Sequence, residues 1–311
     1  MSEINQLHDI DLHSGRITKP RWSRSGRFLA IPTESGSISI FDIDTGQIAQ
    51  TFGCHSEEVT VVDWDHNERA ILTASLDRSL GLWDPESGTR IPFAVSGHSE
   101  PVHSLEWTDE GAYVITCSSD RVRAWDGCCL LPGWSEEMEE GANQHSGFTA
   151  ASCSSQTTLL LGIAAENGAR LVLVSIQSGD LLDGIQMEQT IESLAWSPVE
   201  ALLVVGTDES IVAFRATQEG FEGSARELIR GTPHVHALSF SADGTVLASS
   251  DAESLKIWDV RGARMIAALA ENRDTDSNGP HFSGIAFHPD RPLLAAGFGT
   301  TFRILDLSDL G

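Results

Sequence analysis

The sequence predicts an all-β fold, a β-propeller of seven blades, and three observations lead to this prediction. One pattern recurs seven times in the 311 residues, at a period of about 44 residues that is typical of repeat architectures. Each copy reads as a series of short strands: one opening on an aromatic residue, one apolar, and one ending in an aromatic-acid pair. No segment has the periodicity of a long amphipathic helix.

Two series of marker residues stay in step along the chain. The first has an aromatic residue in every copy but the fourth: Trp22, Trp64, Trp107, Cys153, Trp196, Phe240 and Phe287. The second is the aromatic-acid pair, which is weaker in the fourth, fifth and seventh copies: Phe41-Asp42, Trp83-Asp84, Trp125-Asp126, Val174-Ser175, Phe214-Arg215, Trp258-Asp259 and Leu305-Asp306. Each copy is therefore expected to be one supersecondary unit that buries its apolar face against its neighbours.

A short apolar run lies between the two markers of each copy. Examples are Phe28–Ile31, Leu202–Val205 and Val246–Ala248, bounded by Gly, Ser, Asn and Asp. These are strand lengths, and runs that are apolar on both faces suit strands buried between two layers. Four strands per copy, repeated seven times, describe the blades of a propeller.

The two ends of the chain are expected to complete one blade together. The last copy stops after its third strand, 302–307, while residues 6–12 alternate like a spare strand. We predict that residues 1–13 supply the fourth strand of the last blade and so close the ring, because closure covers exposed strand edges. Residues 1–311 would then form a single domain.

Polar residues in two copies resemble the signature of the WD-repeat family, and the resemblance covers essentially the whole chain. The two sets are His55, Ser75, Asp77 and Trp83 in the second copy, and His98, Ser118, Asp120 and Trp125 in the third. The resemblance implies a hydrogen-bonded tetrad in each, where a buried indole and imidazole find partners. The other copies depart from this set: the fifth lacks the histidine, and the sixth has Ala252 where the aspartate belongs.

The histidine and aspartate pairs are interpreted as structural rather than catalytic, because they recur at the repeat spacing. The chain contains no Gly-x-Ser-x-Gly elbow, no Gly-Lys-Ser/Thr phosphate loop and no His-Glu-x-x-His sequence. We expect no enzymatic activity and no cofactor.

Composition limits the partners. Lys plus Arg number 20 and Asp plus Glu 45, so the formal net charge is −25. Such a surface disfavours nucleic acid and anionic membranes. We expect proteins or peptides of basic or neutral character as partners, and a monomeric domain.

The five cysteines have neither disulfide-scaffold nor zinc-ligand spacing. The sequence opens on polar residues rather than a secretory signal, and no run of apolar residues is long enough to span a membrane. These features predict a cytoplasmic protein.

The WD-repeat resemblance places the usual contact surface on the face that carries the loops entering the first strand of each blade. Side chains flanking the start of that strand are the candidates for partner binding: Arg16, Thr18, Glu58, Thr60, His103, His234, His236 and His281. Trp134, which precedes the acidic run 135–140, is a further candidate in a docking loop.

Two interpretations of the loop-face histidines stay open. They form either an ordinary polar rim, or a patch of His234, His236 and His281, with Asp251 beside it, that takes up protons near neutrality or ligates a metal. Residues 274–279 resemble the start of an EF-hand loop, although Ile285 stands where its last ligand should be. A polar turn is the simpler interpretation.

The favoured function is therefore a protein-interaction scaffold or adaptor. One alternative is a sensor or regulatory domain of a larger signalling NTPase or effector. A weaker alternative is a hydrolase or lyase with its site in the central channel.

Overall fold

A computed structural model describes residues 4–93, 98–108, 111–127, 132–137, 148, 150–154, 160–165, 169–232, 234–251, 254–270 and 282–310, with residues 132–137 described through their backbone alone. This part of the chain is built from β-strands, turns and one 3₁₀ turn at Ser308–Leu310. No helix within it has the length and hydrophobicity to cross a membrane.

The strands follow one another around the ring in chain order. The N-terminal strand is β1 (Asn5–Asp11), and the first blade contains β2 (Arg21–Trp22), β3 (Phe28–Pro32), β4 (Ser37–Asp42) and β5 (Gln47–Gly53). The second blade has β6 (Val59–Trp64), β7 (Ile71–Ser75) and β8 (Leu80–Trp83), and the third has β9 (Val102–Trp107), β10 (Tyr113–Ser118), β11 (Arg121–Asp126) and β12 (Pro132–Glu137). The fourth comprises β13 (Ala150–Cys153), β14 (Leu160–Ala165), β15 (Arg170–Ser175) and β16 (Leu181–Gln186).

The remaining blades follow the same plan. The fifth has β17 (Ile191–Trp196), β18 (Leu202–Thr207), β19 (Ser210–Thr217) and β20 (Gly220–Arg230). The sixth has β21 (Ala237–Phe240), β22 (Val246–Ser250), β23 (Ser254–Asp259) and β24 (Arg264–Ala270), and the seventh has β25 (Phe282–Phe287), β26 (Leu293–Phe298) and β27 (Thr301–Asp306).

The predicted seven-bladed propeller is confirmed. The strands of the described residues form seven antiparallel sheets, in six of which they number four. In the seventh blade the order is β25-β26-β27-β1, so the N-terminal strand completes the last blade as predicted. Asn5 lies opposite Asp306 and Asp11 lies opposite Thr301.

The first marker series ends the innermost strand of every blade rather than opening a strand. Trp22, Trp64 and Trp107 are the last residues of β2, β6 and β9, and the series continues in this way to Phe287. The prediction that the aromatic residue opens the strand was therefore wrong, because the residue ends it. The prediction that the marker recurs once in every blade was right.

In the fourth blade, the second strand is the most buried and the outermost strand is the least buried. All six residues of β14 are buried, whereas β16 at the rim of the same blade alternates between exposed and half-buried positions. Apolar residues pack between neighbouring blades, as where Leu173 of the fourth blade shares a core with Leu203 and Phe214 of the fifth. Each blade therefore buries its faces against its neighbours, as a repeat architecture requires.

The antiparallel order separates the turns onto two ends of the propeller. Turns after the second and fourth strands of a blade lie at one end, here called the loop face, and turns after the first and third strands lie at the other, here called the opposite face. The inner strands of the blades surround a central channel.

Candidate functional site

A chain of hydrogen bonds fixes the third strand of the second blade. The Trp83 indole donates to the Thr73 hydroxyl over 3.0 Å, and that hydroxyl lies 2.7 Å from Nε2 of His55. Nδ1 of His55 lies 3.0 Å from the carboxylate of Asp77. A carboxylate only accepts hydrogen bonds, so we assign the imidazole proton to Nδ1 and the Thr73 hydroxyl as donor to Nε2.

The third blade has the same network, except that a serine hydroxyl stands between its histidine and its aspartate. The Trp125 indole donates to Thr116 over 2.8 Å, and the Thr116 hydroxyl lies 2.7 Å from Nε2 of His98. Nδ1 of His98 lies 2.6 Å from the Ser118 hydroxyl, which donates in turn to Asp120. Ser118 therefore relays between histidine and aspartate, whose direct separation is 3.7 Å.

Two residues of the predicted tetrads have different roles from those expected. Thr73 and Thr116 carry the hydroxyl that joins tryptophan to histidine, not Ser75 and Ser118. The Ser75 hydroxyl instead donates to the Glu57 carbonyl and accepts from the Asp77 backbone N–H. The two candidates in each blade are two positions apart on one strand and share a face, so the sequence alone does not distinguish them.

Burial keeps both tetrad histidines neutral. It lowers the pKa of His55, and it lowers the pKa of His98 to about 4, although the nearby aspartates act in the other direction. Burial alone would raise the pKa of Asp77, but hydrogen bonds from Ser79 and Ser56 outweigh it and lower that pKa to about 2. A neutral histidine beside an ionised aspartate is consistent with a structural role.

Three of the marker tryptophans connect their blade to the preceding one. The indole N–H of Trp22 donates to the Ala286 carbonyl of the seventh blade, and that of Trp64 donates to the Arg21 carbonyl of the first. Trp196 makes the same bond to Ser152. An apolar aromatic that also offers one donor is suited to this buried position, which explains why tryptophan recurs in the series.

In the second and third blades, the residue before the marker connects the blade to the following one. Asp63 accepts the Trp107 backbone N–H over 2.7 Å, and Glu106 accepts that of Cys153 over 2.8 Å. Arg21 lies between these two carboxylates, at 3.0 Å from Asp63 and 3.1 Å from Glu106. Burial raises the pKa of Glu106 although Arg21 opposes this effect. Arg21, Asp63 and Glu106 therefore all serve contacts between blades in this part of the channel.

Thr18 and Thr60, both predicted as contact residues, have their hydroxyls in use inside the ring. The Thr18 side chain is buried and donates to the Val59 carbonyl of the second blade over 2.7 Å. Thr60 donates to the Val102 carbonyl of the third blade. Both hydroxyls therefore serve contacts between blades, and partner binding by Thr18 and Thr60 stays a prediction.

Other predicted residues gather at the mouth of the channel, on the first two blades. Arg16 lies 3.7 Å from Glu34, and Glu58 is close enough to Glu34 that burial and this like charge together raise the Glu58 pKa. Lys19 extends across the channel and donates to the His103 carbonyl over 3.2 Å. Burial, together with the Lys19 charge, lowers the pKa of His103 to about 4.

A second group lies across the channel mouth, where Glu192 of the fifth blade meets two histidines of the sixth. Nδ1 of His234 lies 2.7 Å from one carboxylate oxygen of Glu192, and Nδ1 of His236 lies 3.1 Å from the other. The two imidazole rings are stacked with centroids 6.2 Å apart. The hydrogen bond to Glu192 raises the pKa of His234, which remains 63% exposed. We call Glu192, His234 and His236 the acid-histidine cluster.

Asp251 does not join this cluster, contrary to expectation. Its carboxylate instead lies 2.7 Å from the Lys256 ammonium and also accepts from Ser254. His281, the side chain of Trp134 and residues 274–279 lie outside the described residues. Within the described part of the chain, no group of three or more His, Cys, Asp or Glu side chains is arranged to hold a metal ion.

Sequence reasoning missed Arg21, Thr73 and Thr116. Glu192 flanks the start of its strand as His236 does, so its place on the loop face was predictable, but its pairing with His234 and His236 was not. Arg21 offered no signal, because its partners lie on two other blades.

Comparison with family models matches three parts of the chain. Residues 3–67 match the model described as the anaphase-promoting complex subunit 4 WD40 domain. Residues 90–126 and 226–259 match the model described as WD domain, G-beta repeat. The three segments include the blade with the complete tetrad of His98.

Several curated proteins are similar to most of the chain. "Anaphase-promoting complex subunit cdc20" of Dictyostelium discoideum is 25% identical over 268 residues, covering 83% of this chain and 52% of that protein. "Cell division cycle 20.5, cofactor of APC complex" of Arabidopsis thaliana is 24% identical, covering 83% and 58%. "WD repeat-containing protein slp1" of Schizosaccharomyces pombe is 22% identical, covering 83% and 52%. The chain spans little more than half the length of these relatives.

A solved structure shares the fold along the whole chain. The β-propeller domain of Cps50 (Swd1), a crystal structure from Myceliophteria thermophila, superposes with a TM-score of 0.76 at 19% identity and covers 98% of this chain. With its seven blades, its hydrogen-bonded tetrads and these matches, the chain is a seven-bladed β-propeller that contains WD repeats.

Proposed function

We propose that this propeller is a non-enzymatic adaptor that binds a partner protein at the mouth of its channel on the loop face. The acid-histidine cluster is the observation that carries the proposal. It combines an ordered ion-pairing geometry with side chains that stay exposed, 63% for His234 and 45% for His236. Arg16 and Glu58 extend the same surface across the channel mouth.

The channel offers little to support catalysis. General acid-base chemistry needs a titratable group that is free to reach a substrate. Asp63 and Glu106 instead accept backbone N–H groups of the next blade while they pair with Arg21. These contacts favour the adaptor over a hydrolase or lyase with its site in the channel.

The relatives favour a protein as the partner. Two of them are named as a subunit or a cofactor of the anaphase-promoting complex, which is a protein assembly. The net charge of −25 favours a basic or neutral partner over an acidic one at this face. The cytoplasmic location and the monomeric state stay predictions.

Quantitative affinity purification of three forms of the chain tests the proposal. The loop-face variant carries Glu192→Gln and His236→Ala. The control carries Asp44→Asn on the opposite face, where one carboxylate likewise lies near two cations, Arg27 at 3.8 Å and Arg291 at 3.9 Å.

We expect the loop-face variant to lose proteins that the wild type and the control both retain, while all three keep the same melting temperature within error. An identical set of retained proteins for the loop-face variant and the wild type would contradict the proposal.

A further inference from the structure

A groove on the outer side of the ring separates the fourth blade from the fifth and opens onto the loop face. One wall is the end of β16 with Ile185 and Met187, and the other is the hairpin β19–β20 with Val212 and Ala225. The groove has a volume of about 850 Å³, within the range of about 300–1,000 Å³ that is usual for ligand-binding clefts. It is therefore large enough to hold side chains of a partner.

The floor of this groove is apolar. Phe214 is buried beneath it, while Ile185, Met187 and Val212 are only partly covered by the core between the two blades. Ala225 on the far wall is exposed. An apolar side chain that entered the groove would remove this surface from water, which favours binding.

Three carboxylates lie at the loop-face end of the groove. Glu188 belongs to the connection between β16 and β17, and Asp208 and Glu209 belong to the connection between β18 and β19. Glu188 and Glu209 are exposed. The Glu209 carboxylate accepts from the amide of Gln189 over 3.1 Å, and because that amide is neutral it leaves the charge in place.

The local charge of the groove is negative. Among the described residues, its lining includes four carboxylates and one guanidinium: Glu188, Asp208, Glu209, Glu227 and Arg230. Arg230 is already paired with Glu227 at 2.6 Å. In the part of the chain that the structure describes, no Lys, Arg or His nitrogen lies within ion-pair distance of the other three carboxylates. These three charges are therefore available to a ligand.

Neighbouring cations do not offset this charge. Arg215 and Arg226 belong to the same hairpin, but strand alternation turns them towards the sixth blade. His234 donates its backbone N–H to the Asp208 carbonyl over 3.1 Å, yet its imidazole pairs with Glu192. At physiological salt, charges act over a screening length of about 8 Å, so the nearest carboxylates decide what the groove attracts. The contact between His234 and Asp208 also makes the groove adjoin the acid-histidine cluster.

We propose that the groove between the fourth and fifth blades binds an extended basic segment of the partner protein. Lysine or arginine side chains of the segment pair with Glu188, Asp208 and Glu209, and an apolar side chain between them contacts Met187 and Val212. Strands β16 and β20 are each the outermost of their sheet, so both walls also present unpaired backbone groups to an extended chain. This binding mode rests on the proposed adaptor function and adds the chemical class of the segment that a partner presents.

Fluorescence anisotropy with a labelled eight-residue peptide, in which lysine and leucine alternate, tests this site. The groove variant carries Glu188→Gln and Glu209→Gln. The matched control carries Glu200→Gln and Glu222→Gln, which replace two exposed carboxylates of the fifth blade outside this groove. Both variants change the net charge equally, so a difference between them measures the position of the charges.

We expect saturable binding of the peptide to the wild type at physiological salt. The groove variant should raise Kd about tenfold, which corresponds to about 1.4 kcal/mol, and the control should change Kd by less than about twofold. A peptide with serine in place of each leucine should bind more weakly, because it loses the apolar contact. All four exchanged side chains are exposed, and melting curves verify that each variant is folded.

Three outcomes would overturn the site. They are no binding to the wild type at about 1 mM protein, equal weakening by the control variant, or equal binding of the serine peptide. The last two would show a general attraction of basic peptides to an acidic protein.

Failure of this groove and failure of the loop-face adaptor are distinguishable. If only the groove fails, the peptide does not discriminate between the variants, while the variant Glu192→Gln with His236→Ala still loses partner proteins. If only the adaptor fails, that variant retains the same proteins as the wild type, while the peptide still binds the groove.

Discussion

The second and third blades differ from the fifth and sixth in what they do with their polar side chains. In the second and third, His55, Asp77, His98 and Asp120 turn inward and complete closed networks. In the fifth, Gln189 takes over the contact to the hydroxyls of Thr207 and Ser210 without any titrating group.

The sixth blade retains a single link of the network, from the Trp258 indole to Ser249. The candidate binding surface on the loop face, the acid-histidine cluster, lies on these divergent blades. Loss of the internal network thus coincides with polar groups that face outward, where they are available to partners.

The largest expected effect comes from removing the tryptophan of a complete tetrad. Trp125→Ala should lower the free energy of unfolding by about 3–5 kcal/mol, because a fully buried aromatic is lost and Thr116 loses its donor. Trp83→Ala should behave similarly. Thermal and urea unfolding measure this, and a change within error for both variants would mean that the networks do not stabilise these blades.

The shared hydroxyl gives a sharper comparison between blades. Thr73→Val leaves both the Trp83 indole and Nε2 of His55 without a partner, so it should cost roughly 2–4 kcal/mol. Ser249→Ala leaves only the Trp258 indole unpaired and should cost roughly 1–2 kcal/mol. Equal losses in urea unfolding would show that His55 contributes nothing through this bond.

A third comparison concerns pH, and the sign of the effect differs between the two regions. The pKa of His98 is lowered to about 4 in the folded state, so the unfolded chain binds more protons between that value and about 6.5. Its contribution to stability therefore declines as pH falls through this window. The pKa of His234 is raised, so its contribution is present at low pH and is lost as pH rises through the folded-state value.

Urea unfolding at pH 7 and pH 4.5 measures both signs. His98→Gln should flatten the loss of stability on acidification, and His234→Gln should steepen it slightly. His103 and His288, whose pKa values are also lowered by burial, should preserve part of the slope in both variants. An unchanged slope in His98→Gln would contradict a neutral, buried tetrad histidine.

The sequence predicts the scaffold better than the surfaces, for a physical reason. Trp22, Trp64 and Trp196 repeat because each must fill the same space and donate to the same position of the preceding blade, so one copy predicts the next. The partner of Glu192 lies on another blade, 42 residues away for His234. No repeat imposes that pairing, and the sequence consequently suggested Asp251 instead.

Closure of the ring by β1 and β27 sets a condition on the order of folding. Within each blade the strands of a sheet are neighbours in sequence, but Asn5 finds its partner only at Asp306. Joining such distant segments costs little free energy, because the entropy of closing a loop grows slowly with its length. The cost is in time: a ribosome adds about 5–20 residues per second, so β1 waits roughly 15–60 s for β27.

During that interval β1 has no partner strand, and the nascent chain exposes unpaired strand edges. The apolar side chains of Ile10 and Leu12, which pack between blades in the finished ring, have no partner until then. Pairing of β1 with β27 thus removes the last exposed strand edges. Before this pairing, a growing chain is most open to pairing with another chain.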